Sequence, residues 1–148
     1  IITSLELKPE VMEQRNLHLQ AKYREVEQKE VRYETEQCDD ADCLIVAFGS
    51  AARIAEKSVE LAREQGIKAG LFRPITLWPF PSKALAEMAR GKRHILVAEI
   101  NAGQMIQDVR LAVDGLAPVS HFGRLGGIVP EPAEIVDELI ARLEQHDN

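Results

Sequence analysis

The stretch Cys43-Leu-Ile-Val-Ala-Phe-Gly-Ser50 decides the fold, because six consecutive apolar residues are followed there by a glycine and a serine. An uninterrupted apolar run of this length is typical of a β-strand that is buried on both faces of a sheet. The Gly49–Ser50 pair then predicts a turn into a helix, with Ser50 as its N-cap. Apolar residues continue at helical spacing over 54–62, and Gly66 predicts the end of that helix.

Outward from this unit, strands and helices alternate along the chain. Further apolar segments predict strands at 69–77, 94–99 and 118–122. Pro74 marks an edge, an end or a bulge in the first of these. Helical spacing predicts helices at 82–88, at 103–116 and from about residue 131. The resulting β-α-β-α-β-α-β-α order predicts an α/β fold whose mostly parallel sheet is covered by helices on both faces.

The chain before residue 40 has a different composition. Residues 9–37 are rich in Glu, Gln, Lys and Arg, and Pro9 suits the first turn of a helix. One narrow apolar row runs along this helix: Met12, Leu19, Tyr23 and Val26, with Asn16 in the same row. So narrow a row predicts a helix that lies across a neighbouring surface or links two domains. We therefore divide the chain into a linker helix with its approach segment, 1–40, and an α/β domain, 41–148.

Composition excludes several classes of protein. The 148 residues include 18 basic and 24 acidic side chains, for a net charge of −6, which argues against sequence-independent nucleic-acid binding. No apolar run approaches the roughly 20 residues that span a bilayer. Cys38 and Cys43 are too few for a disulfide framework or a four-thiolate metal site, and we interpret them as structural thiols in a reducing compartment. A chain that begins at Ile1 predicts a processed product or an excised piece of a larger protein.

Ligands of open α/β sheets bind at the carboxyl ends of the strands, so the loops there are the candidate sites. Gly49 and Ser50 at a helix start can face an anion, although an ordinary strand-to-helix turn explains them better. Trp78 and Phe80 lie in a stiff loop with three prolines that starts at Arg73. Such a loop either anchors an interface or folds back to close the edge of the sheet, and the residues leave both alternatives open.

The two remaining loops carry polar groups. Glu99 can cap a helix or accept a hydrogen bond, with the amides of Asn101 and Gln104 nearby. An acid–base role would need a partner, and no histidine or second carboxylate lies beside Glu99 in the sequence. Arg124, in a glycine-rich turn, can hold a phosphate or carboxylate or pair with another subunit. The four histidines show no metal-binding spacing, so the residues alone predict an α/β assembly module without a catalytic or metal site.

Four stretches together add a family resemblance: 42–50, 72–81, 97–104 and Gly126-Gly127, in that order. They resemble the C-terminal domain of the alpha subunit of 2-oxoacid:ferredoxin oxidoreductases, most closely the 2-oxoglutarate and branched-chain 2-oxoacid members. The charged segment before residue 40 is similar to the linker helix of that family. The resemblance implies a three-layer α/β/α unit, similar to the transketolase C-terminal domain, with a mixed sheet of about five strands. The fifth strand is then expected near 127–129 or before Asp42.

The resemblance also implies the chemistry of the parent enzyme. That enzyme converts a 2-oxoacid to acyl-CoA in the cytoplasm with thiamine diphosphate, Mg²⁺, an iron–sulfur cluster and coenzyme A, and it reduces ferredoxin. Members of the family hold the thiamine cofactor in the N-terminal domain of the alpha subunit and in the beta subunit, which are the expected partners here. The fragment is then expected to hold no cofactor, to be inactive alone, and to serve subunit assembly and shape the active-site channel.

Interface residues and alternatives complete the expectations. We expect contacts to partners through five residues: Arg73, Trp78, Phe80, Asn101 and Gln104. Trp78 and Phe80, with the apolar row of helix 10–29, are also expected to support a homodimer. One alternative is a stand-alone module that binds an anion or coenzyme A through Gly49, Ser50 and Arg124. The other is a fragment of a transketolase or of a 2-oxoacid dehydrogenase.

Overall fold

The computed structural model describes residues 6–146, excluding the side chain of His146. Within them the sheet has five strands: β1 Tyr33–Glu36, β2 Cys43–Ala47, β3 Ala69–Pro74, β4 His94–Glu99 and β5 Val119–Gly123. The helices are α1 Pro9–Lys29, α2 Gly49–Glu64, α3 Ser82–Ala89, α4 Met105–Val113 and α5 Pro132–His146. The predicted alternation of strands and helices after residue 40 is confirmed.

The sheet order is β1-β3-β2-β4-β5. Strands β2 to β5 run parallel, and β1 pairs antiparallel with β3 at one edge. This confirms the mostly parallel mixed sheet, and it places the fifth strand before Asp42. The alternative location is wrong, because residues 127–129 belong to a turn and an irregular segment without strand pairing. The boundary between a linker and a domain at residue 40 stays a prediction, with β1 of the sheet lying before it.

Helices cover both faces of the sheet and make three layers. Strand β2 is wholly buried, and its alternate side chains enter two separate cores. Cys43, Ile45 and Ala47 pack with helices α2 and α5 on one face. Leu44 and Val46 pack with helices α3 and α4 on the other face. The uninterrupted apolar run is therefore the consequence of a central strand that must fill both cores.

Two of the predicted boundaries are wrong. The strand predicted at 69–77 ends at Pro74, because its partner β1 begins opposite at Tyr33 and the next two amides both donate to the carbonyl of Arg32. The predicted N-cap at Ser50 is also wrong. Helix α2 already begins at Gly49, so Ser50 lies inside the first turn, and no side chain caps the helix. Gly66 does end this helix, with a φ of 82° that favours glycine.

Helix α1 differs from the others in its packing. It begins at Pro9 as predicted, and none of the residues Pro9–Lys29 is buried. An edge-on contact between Tyr23 and Trp78, with ring centroids 5.7 Å apart, joins its second half to the loop after β3. None of the helices within residues 6–146 is long and apolar enough to cross a membrane.

Candidate functional site

The loops at the carboxyl ends of the parallel strands form the candidate site. Strands β2 and β4 are neighbours, and Ala47 pairs with Ala98 at their ends. The chain leaves β2 toward β3 on one side and leaves β4 toward β5 on the other, which makes the gap between them the topological switch point of the sheet. Gly49 and Ser50, both exposed, lie on one side of this gap, and the 100–104 loop lies on the other.

Glu99, the last residue of β4, is the most enclosed polar group of the site. Its carboxylate accepts hydrogen bonds from the amides of Met105, at 2.8 Å, Gln104, at 3.3 Å, and Ile106, at 3.2 Å. The side-chain amide of Asn101 donates to it at 3.1 Å. A buried carboxylate at the N-terminus of α4 is stabilised by these donors and by the helix dipole. The predicted capping role is confirmed, although the cap comes from the preceding strand.

Asn101 and Gln104 have different environments within this loop. The side-chain oxygen of Asn101 accepts hydrogen bonds from the amides of Gly103, at 2.7 Å, and Gln104, at 3.2 Å. Asn101 is thus held inside its own loop by both ends of its amide. Gln104 is exposed, and its predicted role at an interface stays a prediction.

His121 lies beside Glu99 in the fold, a proximity that the sequence analysis missed. Its Nε2 is 3.5 Å from the Glu99 carboxylate. Strand register explains the approach, because Glu99 pairs with Gly123, where a Cβ atom would lie 2.4 Å from the His121 ring. The sequence did contain one indication of this proximity, because Glu99 and His121 both lie near the carboxyl ends of consecutive strands. Since both carboxylate oxygens already accept amide hydrogen bonds, we assign this pair a structural role rather than proton transfer.

Arg124 follows β5 and interacts within its own chain. Its guanidinium forms an ion pair with Glu134 on α5, at 2.8 Å, and its backbone amide donates to the carbonyl of Glu99, at 3.3 Å. These contacts tie the glycine-rich turn to the last helix. The predicted binding of an anion or coenzyme A by Gly49, Ser50 and Arg124 stays a prediction.

The loop after β3 is partly packed on its own domain and partly exposed, and its predicted role at an interface stays a prediction. Arg73 forms an ion pair with Glu34, its register partner on β1, at 2.9 Å. Phe80 is half-buried and packs against the core formed with α3 and α4. Trp78 is 57% exposed and lines a groove of about 850 Å³ together with Tyr33. The loop therefore folds back at Phe80 and presents Trp78 outward.

Large apolar side chains are exposed at both sides of this carboxyl edge. After β3 these are Ile75, Leu77 and Trp78, and after β5 they are Leu125, Ile128 and Val129. Each is more than two fifths exposed. Each loop brings three such side chains close together in sequence, and exposed apolar patches mark surfaces that contact another protein.

The two thiols lie away from this edge and are poor nucleophiles. Burial raises the pKa of the Cys43 thiol to about 11. Burial also raises the pKa of Cys38, whose Sγ donates to the carbonyl of Leu71 at 3.1 Å. Among the described residues, no three His, Cys, Asp or Glu side chains are grouped so that they could hold a metal ion. The interpretation of the cysteines as structural thiols fits these positions.

Comparison with known families decides the relationship of the chain. Residues 41–135 match the family model of pyruvate:ferredoxin oxidoreductase core domain II. The chain belongs to this family. It is a domain of a 2-oxoacid:ferredoxin oxidoreductase subunit, which confirms the resemblance in its sequence.

Curated relatives of this oxidoreductase domain are longer proteins. The chain is 40% identical over 139 residues to the ketoisovalerate oxidoreductase subunit VorB of Methanothermobacter thermautotrophicus, which covers 94% of the chain and 39% of the relative. It is 35% identical over 102 residues to the 2-oxoglutarate synthase subunit KorA of Methanothermobacter marburgensis, covering 69% of the chain and 27% of that protein. The chain thus spans about two fifths of the length of VorB.

A solved structure has the same fold as this oxidoreductase domain. The 2-oxoglutarate:ferredoxin oxidoreductase from Magnetococcus marinus, solved with 2-oxoglutarate, coenzyme A and succinyl-CoA bound, superposes with a TM-score of 0.79. The match covers 93% of this chain and 24% of that one, at 21% identity. The expected three-layer α/β/α class with a mixed five-stranded sheet is confirmed.

Proposed function

We propose that the chain is a non-catalytic assembly domain in the alpha subunit of a thiamine diphosphate-dependent 2-oxoacid:ferredoxin oxidoreductase. The whole enzyme would oxidatively decarboxylate a 2-oxoacid to an acyl-CoA in the cytoplasm. The names of the relatives, which include a ketoisovalerate oxidoreductase subunit and 2-oxoglutarate synthase subunits, support this substrate class.

One observation carries the proposal: the carboxyl edge of the sheet exposes large apolar side chains, while its enclosed polar groups are used for hydrogen bonds within their own loop. Glu99 and Asn101, the polar groups of the 99–104 loop, form hydrogen bonds within that loop. The loops after β3 and β5 expose Trp78 and Val129, at 57% and 62%. A surface of this kind suits docking, with the chemistry supplied elsewhere in the assembly.

The proposed docking partners are the N-terminal domain of the same subunit and the beta subunit, with ferredoxin binding to the whole enzyme. Thiamine diphosphate with Mg²⁺, the iron–sulfur cluster and coenzyme A would bind in the parent enzyme, outside this domain. This chain does not fit an iron–sulfur cluster. It has two cysteines, Cys38 and Cys43, and burial raises the pKa of both thiols. A cluster needs several accessible thiolates.

An activity assay tests the non-catalytic role. The purified chain would be incubated with thiamine diphosphate, Mg²⁺, coenzyme A and a reducible viologen dye, with 2-oxoglutarate or 2-oxoisovalerate as substrate. We expect no dye reduction above that of a heat-denatured sample. Turnover that depends on both the 2-oxoacid and coenzyme A would overturn the proposal. The complete enzyme of Magnetococcus marinus, assayed in parallel, verifies the reagents.

A further inference from the structure

Helix α1 carries an apolar row that the domain covers only in part. Residues Pro9–Lys29 contain no buried side chain, although a helix of 21 residues ordinarily buries an apolar stripe. The apolar row lies at alternating four- and three-residue steps: Met12, Asn16, Leu19, Tyr23 and Val26. This is the spacing of the a and d positions of a coiled coil.

Asn16 on that row favours a two-stranded parallel arrangement. Asn16 and Tyr23 occupy a positions, and Met12, Leu19 and Val26 occupy d positions. A single asparagine at an a position fixes the register and oligomeric state of parallel dimers, because its amide meets the same amide of the partner. Asn16 is exposed, so its amide is accessible to such a partner.

The charges beside the row favour parallel over antiparallel pairing, and they make a second α1 helix a suitable partner. The g positions that flank the row on one side are all basic: Arg15, Lys22 and Lys29. The e positions on the other side are acidic or neutral: Glu13, Gln20 and Glu27. In a parallel pair each g residue faces the e residue five positions later in the partner, which brings Lys22 to Glu27 and Lys8 to Glu13. An antiparallel pair would place basic g residues against each other.

We propose that α1 pairs in parallel and in register with α1 of a second copy of this chain. The row is complementary to itself, which identifies the occupant as another copy. The Tyr23–Trp78 contact lies on the half of the helix that joins the domain, and the pairing extends along the whole row, from Met12 to Val26. About two heptads with one asparagine give weak association, visible at high protein concentration. This inference concerns self-association and does not rest on the proposed function.

Sedimentation equilibrium of the purified chain over a concentration series tests the pairing. Lys22→Glu or Glu27→Lys alone replaces two attractive contacts of the dimer with two repulsive ones, and we expect about tenfold weaker association. The double variant K22E/E27K restores the attraction, and so does mixing the two single variants. Equally strong association of the wild type and the single variants would overturn the proposal. So would a wild-type chain that stays monomeric at every concentration. In the second case the row belongs to another occupant.

Oxidative cross-linking tests the orientation. An Asn16→Cys variant brings two thiols together only in a parallel, in-register pair, whereas Leu17→Cys, at a neighbouring exposed position, points away from the row. We expect a disulfide-linked dimer from the first variant and none from the second, with the linkage mapped by mass spectrometry. The reverse result contradicts the proposed face. Circular dichroism checks that both variants fold, which is expected because neither residue is buried.

Discussion

Glu99 shows at the scale of a single residue how this domain uses polar groups. A buried carboxylate is costly unless donors surround it, and here three backbone amides and the Asn101 amide do so. The arrangement holds the loop after β4 against the start of α4. A buried carboxylate is a group that enzymes use for catalysis, but the Glu99 carboxylate has a structural role here.

Replacing Glu99 by glutamine tests this structural role. The Glu99→Gln variant keeps the shape but turns an amide group toward backbone amides that need an acceptor. We expect the free energy of unfolding to fall by about 1–3 kcal/mol, measured by urea denaturation. Glu56→Gln, on the exposed face of α2, is the matched control and should change it by less than about 0.5 kcal/mol. Equal stability of the two variants would refute the capping role.

The raised pKa of the Cys43 thiol makes the free energy of unfolding depend on pH. Its pKa is about 11 in the folded chain, against an ordinary value of 9.0, so the folded state holds the proton more tightly than the unfolded state. This contribution is fully present below about pH 9 and is lost as the pH rises through 9 to 11. We expect a decline of up to about 2–3 kcal/mol in the free energy of unfolding over that range.

A Cys43→Ala variant separates this effect from other groups that titrate at high pH. The variant is expected to be less stable at neutral pH, because a buried atom is lost, but to show a flatter decline between pH 9 and 11. Identical slopes for the variant and the wild-type chain would exclude Cys43 as the cause.

Among the elements, the segment between β1 and β2 is held to the domain by two basic side chains, Arg63 and Lys92, and Lys92 donates to the carbonyls of Cys38 and Ala41. Arg63, near the end of α2, donates to the carbonyls of Gln37, at 2.7 Å, and Ala69, at 2.8 Å, and pairs with Asp40. This pairing lowers the pKa of Asp40. Arg63 therefore joins the end of a helix, the start of β3 and the segment after the edge strand.

Removing this arginine should loosen the edge of the sheet. We expect Arg63→Ala to lower the free energy of unfolding by about 1–2 kcal/mol, because two carbonyls lose their donor. Hydrogen exchange should also quicken at the amides of β1. Arg53→Ala, at an exposed position of the same helix, is the control. An unchanged exchange rate in β1 would show that the edge strand does not depend on Arg63.

The elements also show what sequence reasoning could and could not find. Strand β2 was predictable because both of its faces are buried, and so a continuous apolar run was required. Strand β1 was located only as one of two alternatives, because Tyr33–Glu36 lies at an exposed edge and three of its four residues are polar. Its pairing with β3 joins residues that are distant in sequence, such as Glu34 and Arg73.

The same limit applies to the candidate site. The cap at Glu99 followed from a carboxylate placed just before a helix, a local pattern. The approach of His121 did not, because it depends on the register of β4 and β5 and on the absence of a side chain at Gly123. The residue spacing within one segment does not predict contacts that depend on the register between two strands.

At the scale of the whole molecule, the two edges of the parallel sheet differ in what they expose. The carboxyl edge presents the loops that follow β3 and β5, with Trp78, Ile128 and Val129 each more than half exposed. Helix α1 meets the same edge through Tyr23 and Trp78. This asymmetry supports a domain whose carboxyl edge docks onto the rest of an oxidoreductase.

The most direct test of that account is the assembly of the complete enzyme, formed from full-length subunits and measured by native mass spectrometry. One variant carries Ile128→Asp and Val129→Asp at the carboxyl edge. The matched control carries Leu116→Asp, which lies before β5 at the opposite edge and is 38% exposed. We predict that the carboxyl-edge variant loses subunits while the control assembles normally. Normal assembly of the carboxyl-edge variant would contradict the assignment of this edge as the docking surface.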